Sequence, residues 1–170
     1  MKLFKEIPTC FWTESKAGYL SSQEKLLFIY LISHPATNRL GCFRLPLRYM
    51  AYDLEWSEQW ARSCFNKLID FNFLAWDRHH EWGYLTDFLD WFPIRNHYQG
   101  KHIEPVFNEL PEDTILFKWV VGHLLQTPYL DKLFRERLIN YWKQISTKQE
   151  DKTRQQKELK ICQCGGTIHA

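Results

Sequence analysis

Excess charge of one sign is missing from this chain: 22 Lys and Arg stand against 20 Asp and Glu, a net of +2 over 170 residues. That excludes a uniformly basic coat able to hold any polyanion. Nucleic-acid contact would have to come from local placement of basic groups. The balance holds along the chain, with 10 basic and 11 acidic groups in residues 1–91 and 12 and 9 in the remainder. Long uncharged apolar runs are also missing, so no stretch reaches membrane-spanning length and no membrane partner is expected. The opening Met1-Lys2-Leu3-Phe4-Lys5-Glu6 lacks the apolar stretch of a secretory signal. Cysteines are few and odd in number. Cys10, Cys42 and Cys64 stand singly in apolar surroundings, and Cys162 and Cys164 lie far off in a polar stretch. That is no disulfide framework and points to a reduced compartment, so a cytoplasmic location is expected. A phosphate-cradling glycine loop, a nucleophile elbow and paired catalytic carboxylates are all missing, as is any internal repeat. The expectation is a protein that is not an enzyme and needs no cofactor.

What the chain does have is aromatics, at 16%, with eight Trp and twelve Phe, and a hydrophobic fraction of 45%. This is enough for a real core in one ordinary domain, or one small domain with an appendage. Aromatic residues also bind bases and partner proteins, so their density alone assigns no function. Residues 1–20 read as irregular, with Pro8 and Gly18 as breakers. Ser21 and Glu24, three apart, form a capping box for a helix. The run Lys25-Leu26-Leu27-Phe28-Ile29-Tyr30-Leu31-Ile32 is apolar nearly all round, which predicts a buried helix stopped by Pro35. Asn38 and Gly41 mark a turn, Cys42–Leu45 a short strand, and Pro46 the first position of a second helix.

The most informative run is Met50 to Leu74. It reads as a short helix, a tight turn closed by Trp56-Ser57, and a longer helix capped by Ser57. Small or apolar residues at Met50, Ala51, Leu54, Ala61, Phe65, Leu68 and Leu74 have the spacing of a helix-turn-helix core. In the second helix Ala61, Cys64, Phe65, Leu68 and Ile69 form one stripe. Gln59, Ser63, Asn66, Lys67 and Asp70 lie opposite, with Arg62 on the flank. Asn and Gln can bond adenine, and Arg or Lys can bond guanine, so that outer face could read base edges in a major groove. It could equally be an ordinary solvated face.

From Phe73 the period changes to two. Leu74 and Trp76 alternate with Ala75 and Asp77, and Trp82, Tyr84, Thr86 and Phe88 alternate later. Polar Arg78-His79-His80-Glu81 lies between. This predicts a β-hairpin with a charged tip. A helix-turn-helix followed by such a hairpin is a winged helix, with the tip as the wing. The segment Phe92–Lys101 is a basic, aromatic connector. Its Arg95, Asn96, Tyr98 and Lys101 could clamp phosphate, or could simply tie the hairpin to the C-terminal helices. Three such helical stretches are predicted: near Glu104–Leu110, over Glu112–Gln126, and from Tyr129 to about Ile145. Residues 146–170 are polar and Gly-containing, and read as a frayed helix end and a flexible tail. His79, His80 and His102 with Glu81 and Glu104 do not make metal spacing, and Cys162-x-Cys164 with His169 is at most half a zinc site, so no metal is expected.

Three segments resemble phage and prophage replication initiators, or replisome organisers. They are Pro35–Ser57, the run Phe88-Leu89-Asp90-Trp91-Phe92-Pro93-Ile94-Arg95-Asn96, and the opening Phe11-Trp12-Thr13. They fall in that family's order and spacing, over about residues 11–110. Two departures are Glu55, where the family's turn before Trp usually has Gly, and a wing tip that carries acid as well as base. The resemblance implies a winged helix that binds duplex DNA at an origin, and a C-terminal part that recruits a replicative helicase or its loader.

The sequence therefore predicts a mainly α fold with a small β-hairpin (α+β): a winged helix-turn-helix over 11–92, a connector and helical subdomain over 93–145, and a tail over 146–170. The expected function is non-catalytic duplex-DNA binding in replication initiation. The expected contacts are Ser57, Gln59, Arg62, Ser63, Asn66, Lys67, Arg78, Arg95, Asn96 and Lys101. A winged-helix transcriptional regulator and a protein-interaction adaptor without DNA contact are the alternatives. The oligomeric state stays open.

Overall fold

The computed structural model describes residues 5, 7, 9–13, 15–111 and 113–145, Ser15 by its backbone only. The reading of 146–170, with Cys162, Cys164 and His169, lies outside the described residues. The fold is mainly helical with one small three-stranded antiparallel sheet.

Helices α1 (Cys10–Thr13) and α2 (Ser15–Gly18) occupy a segment whose sequence reads as irregular. They form because the core needs what they carry. Phe11 is fully buried and stacks on Phe28 with ring centroids 5.5 Å apart. Helix α3 (Ser22–Ser33) begins at the capping box: the Ser21 hydroxyl accepts from the Glu24 amide, and the Glu24 carboxylate accepts from the Ser21 amide. Its apolar run is buried at Leu27, Phe28, Leu31 and Ile32. Asn38 and Gly41 make the predicted turn. The Asn38 side-chain oxygen accepts from the amides of Leu40 and Cys42, and Gly41 takes φ +79° against Phe88.

Strand β1 (Cys42–Phe43) is followed by α4 (Leu47–Asp53), the turn 54–57 and α5 (Glu58–Asp70). Pro46 stands one place before α4, as its cap residue, rather than as its first helical residue. Helix α5 packs against α3 and α4 through Ala61, Cys64, Phe65 and Leu68, four of the five stripe residues, with Ile69 half-buried. Strands β2 (Leu74–Asp77) and β3 (Trp82–Leu85) form the hairpin, with Asp77 opposite Trp82 at its end. β1 joins on the other side of β3, giving the order β1-β3-β2. The middle of the sheet is tight enough that Gly83 lies directly over the Phe43 ring, where a Cβ would collide.

The alternation that would carry β3 on to Phe88 ends early. Thr86 turns its hydroxyl onto the Asn72 carbonyl at 2.6 Å. The chain then enters α6 (Phe88–Trp91), which buries Phe88 and Leu89 and sets Trp91 against Phe28. The connector holds one helix that its sequence does not announce, α7 (His97–Lys101), and α8 (Ile103–Phe107) follows at the helix expected near Glu104–Leu110, beginning one residue earlier. α9 (Phe117–Gln126) starts later than the predicted Glu112. The delay has a tertiary cause: the Thr114 hydroxyl donates to Asp77 across the fold, and accepts from the Leu116 amide at 3.3 Å. A last helix, α10, covers 132–145. One continuous buried cluster runs from Phe11 through the sheet to Phe134 and Leu138. Among the described residues no helix is long and apolar enough to cross a membrane.

Candidate nucleic-acid interface

The α4–turn–α5 unit is built from local rules. Ser57, extended at φ −68° and ψ 148°, accepts the Trp60 amide at 3.2 Å and starts α5. The turn before it requires a left-handed residue, and Glu55 fills that place at φ +55°. An L-side chain is strained there where glycine would not be. With Ala61, Cys64, Phe65 and Leu68 buried, helical geometry turns Gln59, Arg62, Ser63, Asn66 and Lys67 outward together, and all five are exposed. Glu58 and Asp70 stand exposed at the ends of the same helix. Ser57 is exposed too, although its hydroxyl already serves the helix start.

The other expected contacts lie on two other elements. Arg78 is exposed at the hairpin tip, between β2 and β3. Arg95, Asn96 and Lys101 gather around α7. Asn96 caps that helix by accepting the Gln99 amide at 2.9 Å, so its side chain has a structural task. The Arg95 amide donates to the Gln99 side-chain oxygen at 2.7 Å. The guanidinium of Arg95 and the ammonium of Lys101 belong to exposed residues.

The hairpin tip holds an arrangement that the sequence does not announce. Asp77 is only 4% exposed. Its carboxylate accepts from the Thr114 hydroxyl at 2.5 Å, the His79 amide at 2.9 Å, the His80 amide at 3.3 Å and His80 Nδ1 at 2.8 Å. Burial on its own would raise this carboxyl. The hydrogen bonds from Thr114, His80 and the two amides outweigh burial and hold it well below the ordinary carboxylate range. His80 Nε2 lies 3.0 Å from Asp113. His80 is thus a half-buried bridge between the tip and the start of the C-terminal helices, not a solvated tip residue. The link spans 37 positions, from Asp77 to Thr114, and no local pattern could have revealed it.

Two more features bear on function. Exposed aromatic rings flank the α4–α5 turn: Tyr52 is 82% exposed and Trp60 50%. Beside α7 lies a cleft of 480 Å³, with Leu89, Ile94, Pro128 and Tyr129 as apolar walls and Asp90, Arg95, His123 and Gln126 as polar ones. His123 Nδ1 is held by the Tyr84 hydroxyl at 2.7 Å and lies 3.0 Å from the Trp119 carbonyl. Among the described residues no group of three or more His, Cys, Asp or Glu could hold a metal ion. No family model, curated protein or solved structure matches the chain.

Proposed function

We propose that the chain is a winged-helix protein that binds duplex DNA without catalysis, of the kind that organises replication initiation in prophages. The element order α3-β1-α4-α5-β2-β3, with β1 added to the hairpin sheet, supports the winged-helix reading. The observation that carries the proposal is the outer face of α5. Gln59, Arg62, Ser63, Asn66 and Lys67 stand exposed together on a helix whose opposite side is locked into the core. Those side chains supply the donors and acceptors that match base edges in a major groove. Near-neutral overall charge offers no general attraction to DNA, so contact would depend on these locally placed groups, and it weighs on the side of an adaptor. Replication as the role, with a helicase or helicase loader as partner of the C-terminal helices, rests on the family resemblance alone.

The test is enrichment of bound duplexes from a random library at two salt concentrations. A shared motif that survives the higher salt is the expected outcome. Recovery of no duplex at either concentration would overturn the proposal. The second reading, a protein-interaction adaptor, is favoured by Tyr52 and Trp60 standing exposed at the same turn, and by a hairpin tip tied to Asp113 and Thr114. Failure of the duplex selection would put it first.

A further inference from the structure

We propose that the cleft beside α7 is a seat for one unpaired nucleotide, and that the exposed face of α7 guides the single strand carrying it. The inference extends the DNA-binding reading and takes its ligand class from it, but it uses a different surface from α5.

The cleft has the size of a small-ligand site, within the range of a few hundred to about 1,000 Å³. Its composition suits a nucleobase. Ile94, Pro128 and Tyr129 offer apolar and aromatic surface for a flat ring. Asp90 and Gln126 offer an acceptor and an amide for its polar edge. The walls are built rather than loose. The Tyr129 carbonyl packs so closely on Gly100 of α7 that a Cβ there would collide. The Arg135 guanidinium donates to the carbonyls of Leu125 and Thr127, fixing the turn after α9.

The approach to the cleft carries the complementary charge. From Trp91 to Ile103 the chain has no acidic residue, while Arg95, His97, Lys101 and His102 are all exposed. Arg95 belongs both to this strip and to the cleft wall, where it can meet the phosphate of a seated nucleotide. Glu104, just beyond, is occupied by Arg137 at 2.9 Å. Tyr98 is 73% exposed. Its ring meets His102 edge-to-face at 4.8 Å, a contact that takes up at most one face of the Tyr98 ring and leaves the other for a second base. Basic groups interleaved with open aromatic faces are the recurring means of holding a single strand, because every base has a π-face. Duplex DNA, with its bases stacked inside, could use the charges of this strip but neither the ring nor the cleft.

The experiment uses the full chain and a fluorescent thymidine oligonucleotide of about 20 nucleotides, followed by anisotropy beside a duplex control. Tyr98→Ala and Gln126→Ala should each weaken single-strand binding by about tenfold. Tyr98→Phe should bind like wild type, since the ring remains. Both alanine variants should keep wild-type duplex affinity, and Arg62→Ala should show the converse. Thymidine monophosphate should compete only at far higher concentration than unlabelled oligonucleotide. The proposal is overturned if wild type does not bind the single strand, or if Tyr98→Ala and Gln126→Ala bind it unchanged. It is also overturned if the mononucleotide competes as well as the strand, which would assign the cleft to a free nucleotide. Wild type that binds single strands through Tyr98 but no duplex would sink the duplex reading and leave this one standing.

Discussion

Asp77 is the residue on which most converges. A carboxylate at 4% exposure would be costly alone, and four hydrogen bonds make it the anchor of the hairpin tip. Its folded carboxyl ionises more readily than it would in the unfolded chain. The unfolded chain therefore binds the extra proton first as pH falls. The stabilisation is complete above the ordinary carboxylate value, near 4, and is lost as acid titrates downward from there toward the depressed folded value. Thermal melts from pH 7 to pH 2 should show wild type losing more stability below about pH 4 than Asp77→Asn does. At pH 7 the variant should be less stable by about 1–3 kcal/mol. Parallel curves for the two proteins would mean that Asp77 is not held as described. On the α5 face, Arg62→Ala and Asn66→Ala should each weaken specific duplex binding by about 1–3 kcal/mol. Their melting temperatures should stay at the wild-type value, because both side chains point away from the core. Unchanged affinity and site preference in both variants would rule out groove readout.

Two elements can be weighed at the next scale up. Helix α5 owes its orientation to its stripe. Phe65 is buried and meets the Trp76 ring at right angles, 5.2 Å away, joining the helix to β2. Phe65→Ala removes that contact and leaves a cavity, and should destabilise by about 3–5 kcal/mol in chemical denaturation. DNA binding would then fail because the fold fails. A midpoint equal to wild type would put Phe65 on the solvent side. The α4–α5 turn shows the opposite balance. Glu55 sits in the left-handed region at φ +55°, where glycine is free of the Cβ penalty. Glu55→Gly relieves that strain, and the added freedom of the unfolded chain offsets part of the gain. A net stabilisation of up to about 1 kcal/mol is expected. A clear loss of stability would show that the Glu55 side chain makes a contact outweighing its backbone strain.

For the molecule as a whole the question is whether basic groups on three separate elements can meet one polyanion. The face of α5, the tip residue Arg78 and the α7 strip lie on different elements of a single cored body. If Arg78, Arg95 and Lys101 meet phosphates, each alanine variant should flatten the slope of log affinity against log salt by about one, and should weaken specific and non-specific duplexes alike. The tip is the sharpest case. Asp77 and His80 tie it to Thr114 and Asp113, so Arg78 is offered from a fixed position rather than from a mobile wing. A flat response for Arg78 beside a normal one for Lys101 would remove the tip from the contact and keep α7. Flat responses for all three would move the adaptor reading ahead of the DNA one.

The sequence by itself determined what depends on near neighbours. The capping box of α3, the Asn38–Gly41 turn, the Ser57 cap, the stripe of α5 and the hairpin ends each arise from spacing over a few residues. The exposed set Gln59, Arg62, Ser63, Asn66 and Lys67 is then a consequence of the stripe, because a helix that buries one side shows the other. The tertiary structure alone decided what depends on partners far along the chain. Phe11 made helix of an irregular-looking segment because Phe28 offered it a buried place. Phe88 left the alternating pattern of β3 because the core, not the sheet, had room for it. Thr114 held back the start of α9, and buried Asp77, by reaching across the fold. The cleft is likewise a tertiary product, lined by segments near residues 90 and 127 that no local pattern brings together. Local hydrogen bonding and periodicity are written into adjacent residues. Which distant side chain completes a buried polar group, or fills a given hollow, is settled only when the core closes.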